Sequence, residues 1–173
     1  MSNRRKPKNP LREALAKKTT LRTYFDISIV DSEEVEAAQR SVTVAQQLVA
    51  ATLLHDDPAV RARADKALAD ARATRDDCFH RIWFRGLPLE EFDALVDLHP
   101  PTEEQRREKW IWNPDTFNYA LLAECAVDSD LTAEEWAEEL ADGDRWTRAD
   151  RTKIISTCLA ANQQTMADAV PKD

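Results

Sequence analysis

Three histidines, three cysteines and a surplus of carboxylates are the residues through which this 173-residue chain could do chemistry. His55 stands beside Asp56 and Asp57 at an expected hairpin tip, where an exposed polar turn competes with a metal-binding or catalytic role. His80 lies two residues after Cys78, so both could project from one face of a strand. A structural metal site wants four ligands, and no second Cys/His pair lies near them in sequence. His99 precedes Pro100 and Pro101 and reads as the end of a helix. Cys78, Cys125 and Cys158 are widely spaced, form no CxxC, and read as buried free thiols. The acidic pairs Glu33-Glu34, Glu90-Glu91, Glu134-Glu135 and Glu138-Glu139 suit solvated helix faces, since neighbouring carboxylates on a helix do not face each other. A dinucleotide fingerprint and a P-loop are excluded by glycine: the chain has only Gly86 and Gly143, whereas these phosphate-cradling loops need two or three close together. These residues predict no enzyme, no metal and no cofactor.

A second group of residues points to binding. Trp110, Ile111, Trp112, Phe117 and Tyr119 fall within ten positions around an expected loop. Tryptophan is enriched at binding hot spots, but one or both could equally close the core of a small helical unit. Charge is divided along the chain. Through Arg22 there are eight Lys/Arg and one acid, and the rest holds 16 basic and 31 acidic residues. The acidic body argues against a nucleic-acid-binding core, and the basic tail lacks interleaved aromatics for base stacking. That tail could still meet nucleic acid, an acidic partner or the acidic body of another copy. No stretch approaches a membrane span.

The elements that must position these residues are mostly helical. Apolar residues make up 43% of the chain, but 26 of them are alanine, which suits helices and fills cores poorly. Residues 1–18 read as a disordered basic tail, with a short helical turn at Leu11–Lys18. Residues 19–86 read as a β-αα-β unit. The strands are Thr19–Val30 and Phe79–Phe84, closed by Gly86. Between them Asp31 caps a helix whose seam is Val35, Ala38, Val42, Ala45, Val49 and Thr52. Asp57-Pro58 opens a second helix with Val60, Ala64, Ala67, Ala71, Thr74 and Cys78 at matching spacing. Residues 87–163 read as a bundle of short helices. Pro88, Thr102, Asn113-Pro114, Thr132 and Thr147 start them, and Gly143 ends one. Residues 164–173 read as a frayed end. The expected fold is therefore mainly α: a long αα-hairpin, a bundle of short helices and a small two-stranded β ribbon.

The order of motifs from residue 79 to 163 resembles the tail assembly chaperones of long-tailed bacteriophages, especially those infecting actinobacteria. The resemblance runs through Phe84-Arg85-Gly86-Leu87-Pro88, Leu98-His99-Pro100-Pro101, Trp112-Asn113-Pro114-Asp115-Thr116-Phe117 and Leu121-Leu122-Ala123-Glu124-Cys125. It continues through Leu131-Thr132-Ala133-Glu134-Glu135-Trp136 to Ala160-Ala161-Asn162. It implies a non-enzymatic factor in the host cytoplasm that binds the tape measure protein, assists tail-tube assembly and is missing from the mature virion. It also implies possible contacts with other tail proteins, possible self-association, and a longer frameshifted product in many members. On this reading Trp110, Trp112, Phe117, Tyr119, Leu121, Leu122, Ile154 and Ile155 line a client groove. The competing readings are a virion structural or connector protein, with the hairpin as a docking element, and a small regulatory protein that uses its basic tail on nucleic acid.

Overall fold

The computed structural model describes residues 19–53 and 57–163. The basic tail, His55 and the expected frayed end lie outside the described residues. The described residues are mainly helical, with seven helices among them and a small three-stranded antiparallel sheet of order β1-β2-β3. The elements are β1 (Arg22–Ser28), α1 (Ser32–Thr52), α2 (Pro58–Asp76), β2 (Phe79–Arg85), α3 (Leu89–Leu98), α4 (Glu103–Arg107), α5 (Pro114–Cys125), β3 (Ala126–Val127), α6 (Ala133–Ala141) and α7 (Arg148–Gln163).

The chain divides into two compact units. Among the described residues, one comprises those within 25–82, and the other comprises 19–24 together with 83–163. The division falls inside the ribbon and not at Gly86. The reason is local: Leu21, Phe84 and Leu87 are buried with the short-helix core, Phe84 completely.

In the hairpin unit, Asp31 accepts a hydrogen bond from the Glu34 N–H at 2.9 Å and Asp57 accepts one from the Ala59 N–H at 2.8 Å. These carboxylates satisfy N–H groups that the first helical turn leaves unpaired. The α1 seam packs as its spacing predicts: Ala38, Val42, Ala45 and Thr52 are buried, and Val35 and Val49 are half-buried. Buried Thr52 satisfies its hydroxyl on the Val49 carbonyl at 2.7 Å. On α2 the match is partial. Ala64 is buried and Ala67, Leu68 and Ala71 are half-buried, but Val60 and Thr74 are exposed. Thr74 hydrogen-bonds back to the Asp70 carbonyl, as an exposed helical threonine does.

At the base of the hairpin, Arg81 donates through Nε and Nη2 to the two Asp26 oxygens at 2.7 and 2.8 Å. This hydrogen-bonded guanidinium holds the Asp26 carboxyl below its ordinary value of 3.8. A depressed carboxyl contributes stability above its unfolded pKa and loses it as pH falls through the folded one. The pair is largely solvated, so the contribution is at most about 1 kcal/mol. Asp26→Asn should therefore lower the urea midpoint slightly at neutral pH, and its difference from wild type should vanish as pH falls below the carboxylate range.

The second unit is built around α5 and α7. Phe117, Leu121, Leu122 and Cys125 of α5 and Ile154 and Cys158 of α7 are at most 1% exposed. Trp136 and Leu140 of α6 close the same core, at 2% each. Capping boxes at Thr102/Gln105 and Thr132/Glu135 start α4 and α6 with both reciprocal bonds present. At α7, Thr147 and Asp150 exchange bonds of the same kind.

The ribbon is larger by one strand than the sequence predicts. After α5, Ala126 and Val127 extend and pair antiparallel with Phe84 and Trp83. Two residues carry no recognisable strand pattern; the free edge of β2 makes them a strand. The first strand is shorter than expected, losing Thr19–Leu21 and Ile29–Val30, although Gly86 N–H still donates to the Leu21 carbonyl at 2.9 Å.

Candidate functional site

Among the described residues, Cys78 and His80 do not come together as a ligand pair. Cys78 is buried ahead of β2 and donates its thiol to the Thr74 carbonyl, while His80 is exposed on the strand, so the two do not share an open face. No cluster of three or more metal-ligating side chains occurs among the described residues. Cys125 and Cys158 are free thiols buried between α5 and α7. Burial pushes the Cys158 thiol well above its ordinary range. Asn162 organises this region: its amide accepts from the Leu87 N–H at 2.7 Å and donates to the Cys158 carbonyl at 3.1 Å and the Cys125 Sγ at 3.4 Å. Cys78, Cys125 and Cys158 are thus the buried free thiols that their wide spacing predicts.

The aromatic cluster separates into an inner and an outer part. Inside, the Trp112 ring stacks on Phe117, with centroids 4.6 Å apart and planes at 25°. Phe92 of α3 meets Phe117 edge-on at 5.7 Å and Trp112 at 6.3 Å. His99 adds a further edge-on ring at 6.2 Å from Phe117. His99 does end α3, through its N–H to the Val96 carbonyl, and its Nδ1 lies 2.9 Å from the Thr116 hydroxyl. Offset and edge-to-face rings of this kind add to the burial energy of the side chains.

Outside, Trp110 is 45% exposed and Ile111 68%. The loop that carries them is fixed. Lys109 has φ 66°, in the left-handed region, and the Trp110 and Lys109 N–H groups return to the Gln105 and Arg106 carbonyls. This Schellman arrangement ends α4 sharply. The Trp110 indole N–H donates to Glu108 at 3.1 Å. The Asn113 N–H donates to the His99 carbonyl at 2.8 Å, joining this loop to the end of α3, where Leu98 is 75% exposed. Gln105 braces the loop from the other side, donating to Asn113 at 3.1 Å and to Asp115 at 3.3 Å.

Of the eight residues expected to line a groove, five are interior. Trp112, Phe117, Leu121, Leu122 and Ile154 fill the core and present no open surface. Tyr119 and Ile155 are half-buried, and the Tyr119 hydroxyl accepts from Arg151. Only Trp110 is exposed. Polar substitution of Trp112 and Phe117 would consequently report on folding and not on binding. Ile111 and, at the end of α3, Leu98 are exposed as well. Neither carries a spacing that sets it apart from core residues.

Comparison with protein-family models, curated proteins and solved structures gave no match. No helix among the described residues is long and apolar enough to cross a membrane.

Proposed function

We infer that the chain is a non-enzymatic assembly chaperone of a long-tailed phage, which binds the tape measure protein while the tail tube is built. The motif order from residue 79 to 163 supports the family. The observation that carries a binding role is the braced loop. It holds Trp110 and Ile111 in water, against an aromatic core that is already closed. An apolar pair kept in one conformation loses little entropy on binding, which raises affinity without new contacts. Trp110 supplies the large rigid anchor typical of hot spots. A long helical client offers the complementary surface, an apolar stripe at helical spacing. The acidic body would keep the complex soluble.

The test is co-expression with the tape measure protein of the same phage, followed by co-purification. Wild type should retain the client. Trp110→Ser combined with Ile111→Ser should reduce recovery by at least about tenfold, the equivalent of roughly 1.4 kcal/mol, with an unchanged urea midpoint. Full recovery with the double variant would remove this surface from the proposal. Failure of wild type to bind, with the protein present in purified particles, would favour the connector reading instead. Steep loss of nucleic-acid binding with salt would favour the regulatory one.

A further inference from the structure

Helix α3 turns one side to the short-helix core and leaves the other open. Phe92, Leu95 and Val96 are half-buried, while the other seven of its ten residues are exposed. The open face carries one sign of charge. Glu90, Glu91, Asp93 and Asp97 lie on it, and no Lys or Arg occurs between Arg85 and Arg106. None of these four acids has an ion pair among the described residues. The following α4 and its turn do not offset them, because Arg106, Arg107 and Lys109 are balanced there by Glu103, Glu104 and Glu108. Ala94 and Leu98, one helical turn apart, add an apolar row to the face, with Leu98 75% exposed.

The opposite charge lies in the segment that leads into β1. Residues 1–18 hold seven Lys/Arg and one acid, with Leu11 and Leu15 among them. This segment joins the fold beside α3. The Gly86 N–H donates to the Leu21 carbonyl at 2.9 Å, and a Cβ on Gly86 would lie 3.4 Å from the Thr20 Cβ. In an antiparallel ribbon the residues before Leu21 run alongside those after Gly86, so the chain before Thr19 starts on the side where Pro88 caps α3. The helix is about 15 Å long at its rise per residue. A segment of 18 residues can span up to about 60 Å, so it reaches the whole face.

We propose that the open face of α3 is the docking surface for residues 1–18 of the same chain. The bases of the segment meet the four carboxylates, and its leucines meet the row of Ala94 and Leu98. Each solvated ion pair contributes little. The tether changes the balance, because a short flexible link holds the segment at an effective concentration in the millimolar range, and a weak contact is then enough. Helix α6, also rich in acid, offers less. Arg145 already holds Glu139, Glu135 is engaged with Thr132 at the cap, and Trp136 and Leu140 are buried. The contact is independent of whether the loop at Trp110 binds a client.

Carbodiimide cross-linking of the full chain, in a mixture of light and heavy-isotope copies read by mass spectrometry, tests this. Lys6, Lys8, Lys17 or Lys18 should be joined to the α3 carboxylates within one copy, and the links should fade as added salt screens the charges. Low-dose trypsin supplies a second readout. It should cut after Arg12, Lys17 and Lys18 about fivefold faster when Glu90→Gln, Glu91→Gln, Asp93→Asn and Asp97→Asn are combined, because cleavage follows the free fraction. The urea midpoint should not change, since all four side chains are exposed. Leu11→Ser with Leu15→Ser leaves every described residue in place and should speed the same cuts. Links that join light to heavy copies, links spread evenly over α3 and α6, or cutting as slow in both variants as in wild type would each overturn the proposal.

Discussion

Phe117→Ala should destabilise the short-helix unit by about 3–5 kcal/mol, the range for truncating a buried aromatic. Phe117 is fully buried and is the centre of its cluster, touching Trp112, Phe92 and His99. Three rings lose their partner at once, and they come from α3, from the residue that ends it and from the loop before α5, so no single segment can move to refill the space. Such a loss is a large fraction of a typical domain's 5–15 kcal/mol. The near-ultraviolet circular dichroism of the buried tryptophans should collapse at a much lower urea concentration than in wild type, while the far-ultraviolet signal of α1 and α2 remains. A midpoint within about 1 kcal/mol of wild type would mean that the cluster is not a packed core. Phe117→Leu, which keeps most of the volume, should cost distinctly less.

Gly86→Ala is the second large effect, and its origin is geometric. A Cβ placed on Gly86 would lie 2.4 Å from the Ala161 carbonyl oxygen of α7, which is backbone and cannot rotate away. Either α7 or the end of the ribbon must shift. The shift would strain the bond from Gly86 to Leu21 and the neighbouring one from Leu87 to Asn162. Overpacking of this kind costs about 1–3 kcal/mol, and the lost bonds add to it. Gly143 is the control: a Cβ there meets nothing within 4 Å and its φ is not positive. Gly143→Ala should be neutral or stabilising by up to about 1 kcal/mol, through a less disordered unfolded chain. Equal urea midpoints for the two alanine variants would contradict the close approach.

The contrast between the two glycines shows what the sequence can and cannot convey. Both are legible as punctuation, Gly86 after a strand and Gly143 after a helix. That one of them is the contact point for a helix 75 residues further on is a tertiary fact with no local sign. Caps behave in the opposite way. Asp31, Asp57, Thr102, Asn113, Thr132 and Thr147 all act where their types predict, because a cap is decided within four residues. The inner seam of α1 was legible from period alone. The partial seam of α2 was not, because alanine occupies buried and exposed faces alike and blurs the pattern. For the candidate site, an aromatic-rich loop was evident, but Trp110 and Trp112 are chemically the same residue. Tertiary contacts separate them: Trp112 stacks on Phe117 in the core, while Trp110 stays exposed.

The chain leaves the short-helix unit at Tyr24 and re-enters it at Trp83, and these two residues face each other across the ribbon with ring centroids 5.2 Å apart. For the short-helix unit, everything between them is one long loop. Holding the ends of a flexible loop of that length together would cost roughly 3.5 kcal/mol beyond a constant. A helical hairpin forms from contacts local in sequence, and such contacts form early. The hairpin therefore acts on the folding order as well as on the structure. Once α1 and α2 close on each other, the strands flanking them are already neighbours, and the core that contains Leu21 and Phe84 can form without a long-range search.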